Sequence, residues 1–204
     1  MRYSAAMHTI ILHTPKGGSG KSTTARELAV SASLAGVSVA LADLDPQGSV
    51  TGWYQRRKAT TPPLVRYDPA APVKDLAGLQ WLVVDTPPGA PPYMAGLLAR
   101  ADLVLVPVRP SPDDLLAAAP IARSLTGRPW AFVLTQVPAR SRLVDSAVRQ
   151  LAALGRVAPV QFGFRTDFPS AAITGEAAAE FQGSKAAQES AALFAYANQL
   201  LNGE

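Results

Sequence analysis

The run Lys16-Gly17-Gly18-Ser19-Gly20-Lys21-Ser22 lies between an apolar, β-branched stretch, His8 to His13, and a helical stretch from Gly20 to Ala35. A strand that turns through glycines directly into a helix constrains this chain more than any other feature. Glycines let successive backbone N–H groups converge on one anion without Cβ clashes. A helix opening there adds free N–H groups and a dipole that favours negative charge. In such a cradle, built from Gly17, Gly18, Ser19 and Gly20, Lys21 reaches the outer phosphates and the Ser22 hydroxyl ligates Mg²⁺. The usual pattern is G-x-x-x-x-G-K-[ST]. Here Pro15 stands at its first glycine, and Lys16 is an additional cation inside the loop.

The rest of the chain alternates between strand and helix signals. Gly36 ends the first helix as a C-cap. Val37 to Ala42 is the second strand, closing a βαβ unit by a right-handed crossover. It ends in Asp43-Leu44-Asp45, at the edge where open α/β sheets bind ligands. Alternation places Asp43 and Asp45 on one side, positioned to orient a water or to stand behind a metal. Ser49 to Lys58 reads as a short helix ending in the basic run Arg56-Arg57-Lys58. Trp53 and Tyr54 pack it to the body. Leu64 to Tyr67 reads as a short strand, and Asp68 to Leu79 as loop with one helical turn. Leu79 to Asp85 is an apolar strand ending in a carboxylate, which suits a residue acting on a phosphate-bound Mg²⁺. Pro87-Pro88-Gly89 behind it reads as a stiff loop able to sense a γ-phosphate.

Further strands are expected at Asp102–Val108, Trp130–Thr135 and Val157–Val160, and helices at 93–101, 113–125, 141–154, 168–174 and 185–201. Arg109-Pro110-Ser111-Pro112 leads into the second of these helices, with Asp113 and Asp114 in its first turn and Pro120 expected to bend or interrupt it. Phe162 to Asp167 is read as loop. Thr135 and Gln136 close their strand on the ligand edge, where they can hydrogen-bond a base. The fold expected is α/β, a doubly wound, mainly parallel sheet flanked by helices, in one domain over residues 1–204.

Composition narrows the chemistry. With 204 residues and no cysteine, disulfides, thiolate metal sites, Fe–S clusters and thiol catalysis are excluded. No apolar run approaches a membrane span, and the N-terminal apolar stretch is too short for a signal peptide, so a cytoplasmic location is expected. The formal net charge is +4. Between Arg100 and Arg165 there are nine Arg against four Asp, a guanidinium surplus that suits phosphate contacts.

Three motifs in order, KGGSGKST, ALADLDPQGS and WLVVDTPPG, resemble the deviant Walker ATPases of the ParA/MinD superfamily. The resemblance is closest to ParA-type partition ATPases of the short, ParF-like plasmid form. VPVRPSPDDL and FPSAAITGEAAAE extend it over nearly the whole chain. It implies a Mg²⁺-dependent ATPase of the P-loop fold that forms an ATP-sandwich homodimer. Lys16 matches the lysine that reaches the partner subunit's ATP, and Thr23 belongs to the phosphate loop. Asp45 matches the aspartate that activates water, Asp43 its companion, and Asp85 the metal-associated residue. Thr135-Gln136 stands where many relatives carry an Asn-containing sequence. The family function is partition of plasmid or chromosomal DNA on the nucleoid, by non-specific DNA binding, with a ParB- or ParG-like protein stimulating hydrolysis. Arg140, Arg142 and Arg149 are the candidate DNA contacts.

Two other functions share the loop and sheet. One is a positioning ATPase for a protein cargo, such as a microcompartment or chemoreceptor cluster. The other is an amidoligase resembling dethiobiotin synthetase, which needs a pocket for a carboxylate substrate. A membrane partner is not expected, because the segment after Lys185 carries no basic residue to attract anionic lipid.

Overall fold

The computed structural model describes residues 7–70, 76, 78–140 and 142–203. Six strands form one sheet: β1 (His8–Leu12), β2 (Val39–Asp43), β3 (Trp81–Asp85), β4 (Leu103–Val108), β5 (Trp130–Val137) and β6 (Val157–Gly163). Their order is β2-β3-β1-β4-β5-β6, with every pairing parallel. The helices are α1 (Lys21–Leu34), α2 (Ser49–Arg56), α3 (Met94–Ala99), α4 (Pro112–Ser124), α5 (Arg142–Ala152), α6 (Asp167–Thr174) and α7 (Lys185–Asn202). This is the doubly wound parallel architecture expected from the alternation.

Strand alternation divides the core between the two faces. Ile10 and Leu12 point to the layer that contains Leu28 of α1, Trp53 of α2 and Leu193 of α7. Ile11 points the other way, with Leu97 of α3, Ile121 of α4 and Leu151 of α5. Both faces are covered, so the central strands read as unbroken apolar runs. Each fully buried Leu or Ile contributes roughly 1.5–3 kcal/mol by leaving water.

Several local expectations are corrected. The crossover from β1 to β2 spans β3, which is inserted between them and pairs with both. Leu64 to Tyr67 forms no strand; Leu64 makes a single isolated bridge to Leu41. Pro120 does not interrupt α4, which continues to Ser124. Residue 116, which would have bonded the missing Pro120 N–H, is an exposed leucine, so its carbonyl can turn to water. β6 runs on through Phe162 and Gly163, because Gly163 still pairs with Val137. Residues 71–75, 77 and 141 lie outside the described residues, and with them most of the stretch of the helical turn expected within 68–79 and the helix start expected at Ser141.

The basic run Arg56-Arg57-Lys58 at the end of α2 is not uniformly exposed. Arg57 has 3% side-chain exposure and pairs with Glu180 at 2.8 Å. It also donates to the carbonyls of Thr61 and Gly175. Gly175 itself caps α6 at φ 77, and a Cβ there would strike the Arg57 backbone at 2.3 Å. Trp53 packs beneath, donating its indole N–H to the Glu176 carbonyl at 2.8 Å.

Candidate nucleotide site

The strand register assembles the site. Asp85, the last residue of β3, is the lateral partner of Asp43 in β2 on one side and of Leu12 in β1 on the other. β1 runs directly into the glycine loop, so the loop, Asp43 and Asp85 converge at one edge of the sheet. Gly20, at φ 90, turns the chain into α1. A Cβ at Gly20 would press on Thr135 at 3.4 Å.

Lys21 is the first residue of α1 and is buried. Its ammonium folds back over the loop and donates to the Lys16 carbonyl at 3.1 Å. Burial lowers its pKa, while Asp85 and Asp45 act in the opposite direction. Ser22 and Thr23 follow in the first turn. Thr23 accepts a hydrogen bond from Arg26 at 3.3 Å.

Asp85 is fully buried, and neither carboxylate oxygen has a hydrogen-bond partner among the described residues. Burial is the main cause that pushes its pKa up to about 7. The neighbouring Ser22 hydroxyl pulls it down without closing a bond of good geometry, Asp43 and Asp45 raise it, and Lys21 lowers it. An orphaned acid is costly and is the kind of group that a ligand satisfies. Ser22 and Asp85 together fit Mg²⁺, which takes one or two protein groups and completes its shell from phosphates and water. Among the described residues, no group of three or more His, Cys, Asp or Glu could hold a metal.

Asp43 and Asp45 separate in role. Asp43 accepts from the Thr51 amide at 2.8 Å, the Thr51 hydroxyl at 2.9 Å and the Asp45 amide at 3.1 Å. It fastens the start of α2. Among the described residues the Asp45 carboxylate accepts only from the Gln47 amide at 2.9 Å, and its charge acts on Lys21 and Asp85. The loop after β3 is tied to the phosphate loop: Thr86 donates to the Leu12 carbonyl at 2.8 Å, and Gly89 to the Pro15 carbonyl at 2.9 Å.

Thr135 and Gln136 reach the glycine loop from below. Thr135 donates to the Ser19 carbonyl and Gln136 to the Gly18 carbonyl, both at 2.7 Å. Gln136 adopts φ 53 to do so, a region few side chains enter. Both residues also line a cavity of about 710 Å³ beside the first turn of α1. Its walls include Thr24, whose buried hydroxyl lacks a partner among the described residues, with Phe162, Phe168 and Ile173 from the sequence after β5. The size and mostly apolar lining suit a nucleobase and sugar.

Lys16 is half-buried, its ammonium 3.6 Å from Asp114 and 3.7 Å from Asp113 at the start of α4. Arg140 and Arg149 are exposed; the Arg142 side chain lies outside the described residues. The pocket wall at 162–173 and the contacts of Arg109 and Asp114 were not anticipated from sequence. An arginine directly after a buried strand, at the ligand edge, was the available signal for Arg109. The apolar wall left none, since its residues read as a loop and a short helix. Among the described residues, no helix is long and apolar enough to cross a membrane.

Comparison with known proteins is consistent with this geometry. Residues 10–187 match the family model of the CobQ/CobB/MinD/ParA nucleotide binding domain. The chain is 34% identical over 139 residues to Maintenance of carboxysome distribution protein A of Gloeobacter kilaueensis, which covers 62% of each. It is 32% identical over 115 residues to Protein ParA of Rhizobium radiobacter, covering 53% of this chain and 51% of that protein. The chain thus spans less than two thirds of the length of these relatives. The septum site-determining protein MinD of Pyrococcus horikoshii OT3, solved with Mg-ADP, has the same fold at 15% identity. The TM-score is 0.73, covering 96% of this chain and 97% of that one.

Proposed function

The chain belongs to the CobQ/CobB/MinD/ParA nucleotide-binding family, and from that premise we propose that it is a positioning ATPase of the ParA type, an ATP-timed dimer that binds DNA. The observation that carries this reading is the two-lysine phosphate loop set over the orphaned Asp85 carboxylate.

In this reading the amides of Gly17, Gly18, Ser19 and Gly20 cradle the phosphates, with Lys21 neutralising their charge. Ser22 and Asp85 would hold Mg²⁺, which would supply charge neutralisation at the terminal phosphoryl group. Asp45 orients the attacking water. Asp43 contributes by setting the position of the segment that carries Asp45. Lys16 leaves Asp113 and Asp114 and reaches the nucleotide of a second copy, placing positive charge where it develops in phosphoryl transfer. ATP then holds two subunits together, and hydrolysis releases them. Thr135 and Gln136 support the loop and border the base.

Arg140, Arg142 and Arg149, doubled in the dimer, contact DNA phosphates without reading sequence. A ParB- or ParG-like partner stimulates hydrolysis, and the complex works on the nucleoid in the cytoplasm. The cargo is plasmid or chromosomal DNA in one reading. A protein cargo is the second, favoured by the carboxysome distribution relative. The test is DNA retention with ATP, with ADP and without nucleotide, across a salt series. Retention that requires ATP and weakens with salt supports the switch. Nucleotide binding with no ATP-dependent DNA retention refutes it.

A further inference from the structure

Arg109 leaves β4 at the ligand edge and turns back toward the glycine loop. Its Nε and Nη2 both donate to Asp114 at 2.9 Å, and its backbone amide donates to the same carboxylate at 3.1 Å. The remaining donor nitrogen, Nη1, has no hydrogen-bond partner among the described residues. It is also the atom nearest Gly18: a Cβ placed on Gly18 would lie 3.8 Å from Nη1. The guanidinium is thus gripped from behind by a buried carboxylate, and its free edge faces the phosphate loop.

We propose that Arg109 is a further phosphate-binding residue of this nucleotide site, contacting the terminal phosphate, with Asp114 as its positioning residue. The inference rests on the nucleotide reading above. An anchor between β4 and α4 needs only the two nitrogens that Asp114 takes. The orientation of Nη1 toward Gly18 adds a donor where the outer phosphates of a cradled nucleotide lie. Asp114 is 3% exposed at its side chain, so the bidentate pair is held in one geometry before any ligand arrives, and little order is lost on binding. Lys16 sits on the same carboxylate at the longer distance of 3.6 Å. It is the cation free to leave, while Arg109 stays. A nucleoside triphosphate draws on Arg109; a diphosphate, lacking the outer group, does not.

Calorimetric titration of ATPγS and of ADP, each with Mg²⁺, into the full chain and its Arg109→Ala, Arg109→Lys and Asp114→Asn variants tests this. Arg109→Ala is expected to weaken ATPγS about tenfold or more while ADP moves less than about threefold. Arg109→Lys should recover part of the loss, because a lysine keeps the charge but not the two-point anchor. Asp114→Asn should fall between. Equal weakening of both nucleotides, or no change in either, overturns the inference. If Arg109→Ala does not fold, Arg109→Lys carries the test: its ATPγS-to-ADP preference must drop. A parent chain that binds neither nucleotide overturns the nucleotide reading and this inference with it. A parent that binds both, with preference unchanged in the variants, overturns this inference alone.

Discussion

Thr135 donates its hydroxyl to the Ser19 carbonyl at 2.7 Å across 116 residues of sequence. The end of β5 is therefore fastened to the underside of the phosphate loop. Thr135→Val keeps the shape and removes the donor, leaving a buried carbonyl unpaired. The cost expected is roughly 1–3 kcal/mol of stability. Affinity for Mg-ATP should fall several-fold as the loop loosens. Thermal unfolding and calorimetry read the two effects separately. Full retention of both would mean that the hydrogen bond does not hold the loop.

Two buried groups give the metal-free, nucleotide-free protein opposing pH dependences. His13 is neutral in the fold: burial first, then Lys21, lowers its pKa from 6.5 to about 4. The unfolded chain binds the extra proton, so this group removes stability as pH falls from about 6.5 to about 4. Asp85 is raised from 3.8 to about 7, chiefly by burial. Here the folded state binds the extra proton, so stability is lost as pH rises from about 4 to about 7. That loss is on the order of 4 kcal/mol. The two dependences largely cancel. Asp85→Asn should therefore be more stable than the parent at pH near 8, and should expose the acid sensitivity of His13. Denaturant unfolding at several pH values in EDTA checks this; a lower midpoint for Asp85→Asn at alkaline pH would contradict it.

Arg57 and Lys58 are adjacent but differ in consequence. Arg57 is buried against Glu180 and Trp53, its guanidinium 5.0 Å from the indole centroid. Arg57→Ala should cost about 3–5 kcal/mol, because Glu180 is left without its partner. Lys58→Ala should stay within about 0.5 kcal/mol. Urea unfolding distinguishes them, and equal effects would refute the packing role.

Much of this was legible in the sequence, where the signal is local. The order apolar strand, glycines, Lys21-Ser22 and helix is fixed by neighbours in the chain, and the parallel α/β fold follows from repeated alternation. What was not legible depends on pairing between distant segments. The insertion of β3 between β1 and β2 brings Asp85 beside Asp43, and no local pattern encodes that neighbour. Arg57 reads only as a member of a basic run, because its partner Glu180 lies 123 residues away. Thr135 and Gln136 were placed at the correct edge, yet their hydrogen bonds to the loop carbonyls depend on how β5 and the loop meet. The left-handed backbone of Gln136 carries no residue-type signal.

Among the described residues the Asp45 carboxylate accepts one hydrogen bond, from the Gln47 amide. Asp45→Ala should leave the fold and nucleotide binding intact. It should slow phosphate release by about a hundredfold or more, as expected for loss of a water-orienting base, and prolong the ATP-bound dimer. A phosphate-release assay beside size measurements checks this. Unchanged turnover would remove Asp45 from the reaction.

In the proposed mechanism ATP joins two copies through Lys16. Light scattering of the parent chain and of Lys16→Ala, with Mg-ATP against Mg-ADP, tests it most directly. The parent should double in mass with ATP and not with ADP. Lys16→Ala should still bind nucleotide while remaining a monomer in both. An ATP-induced dimer of undiminished amount in Lys16→Ala would contradict the account.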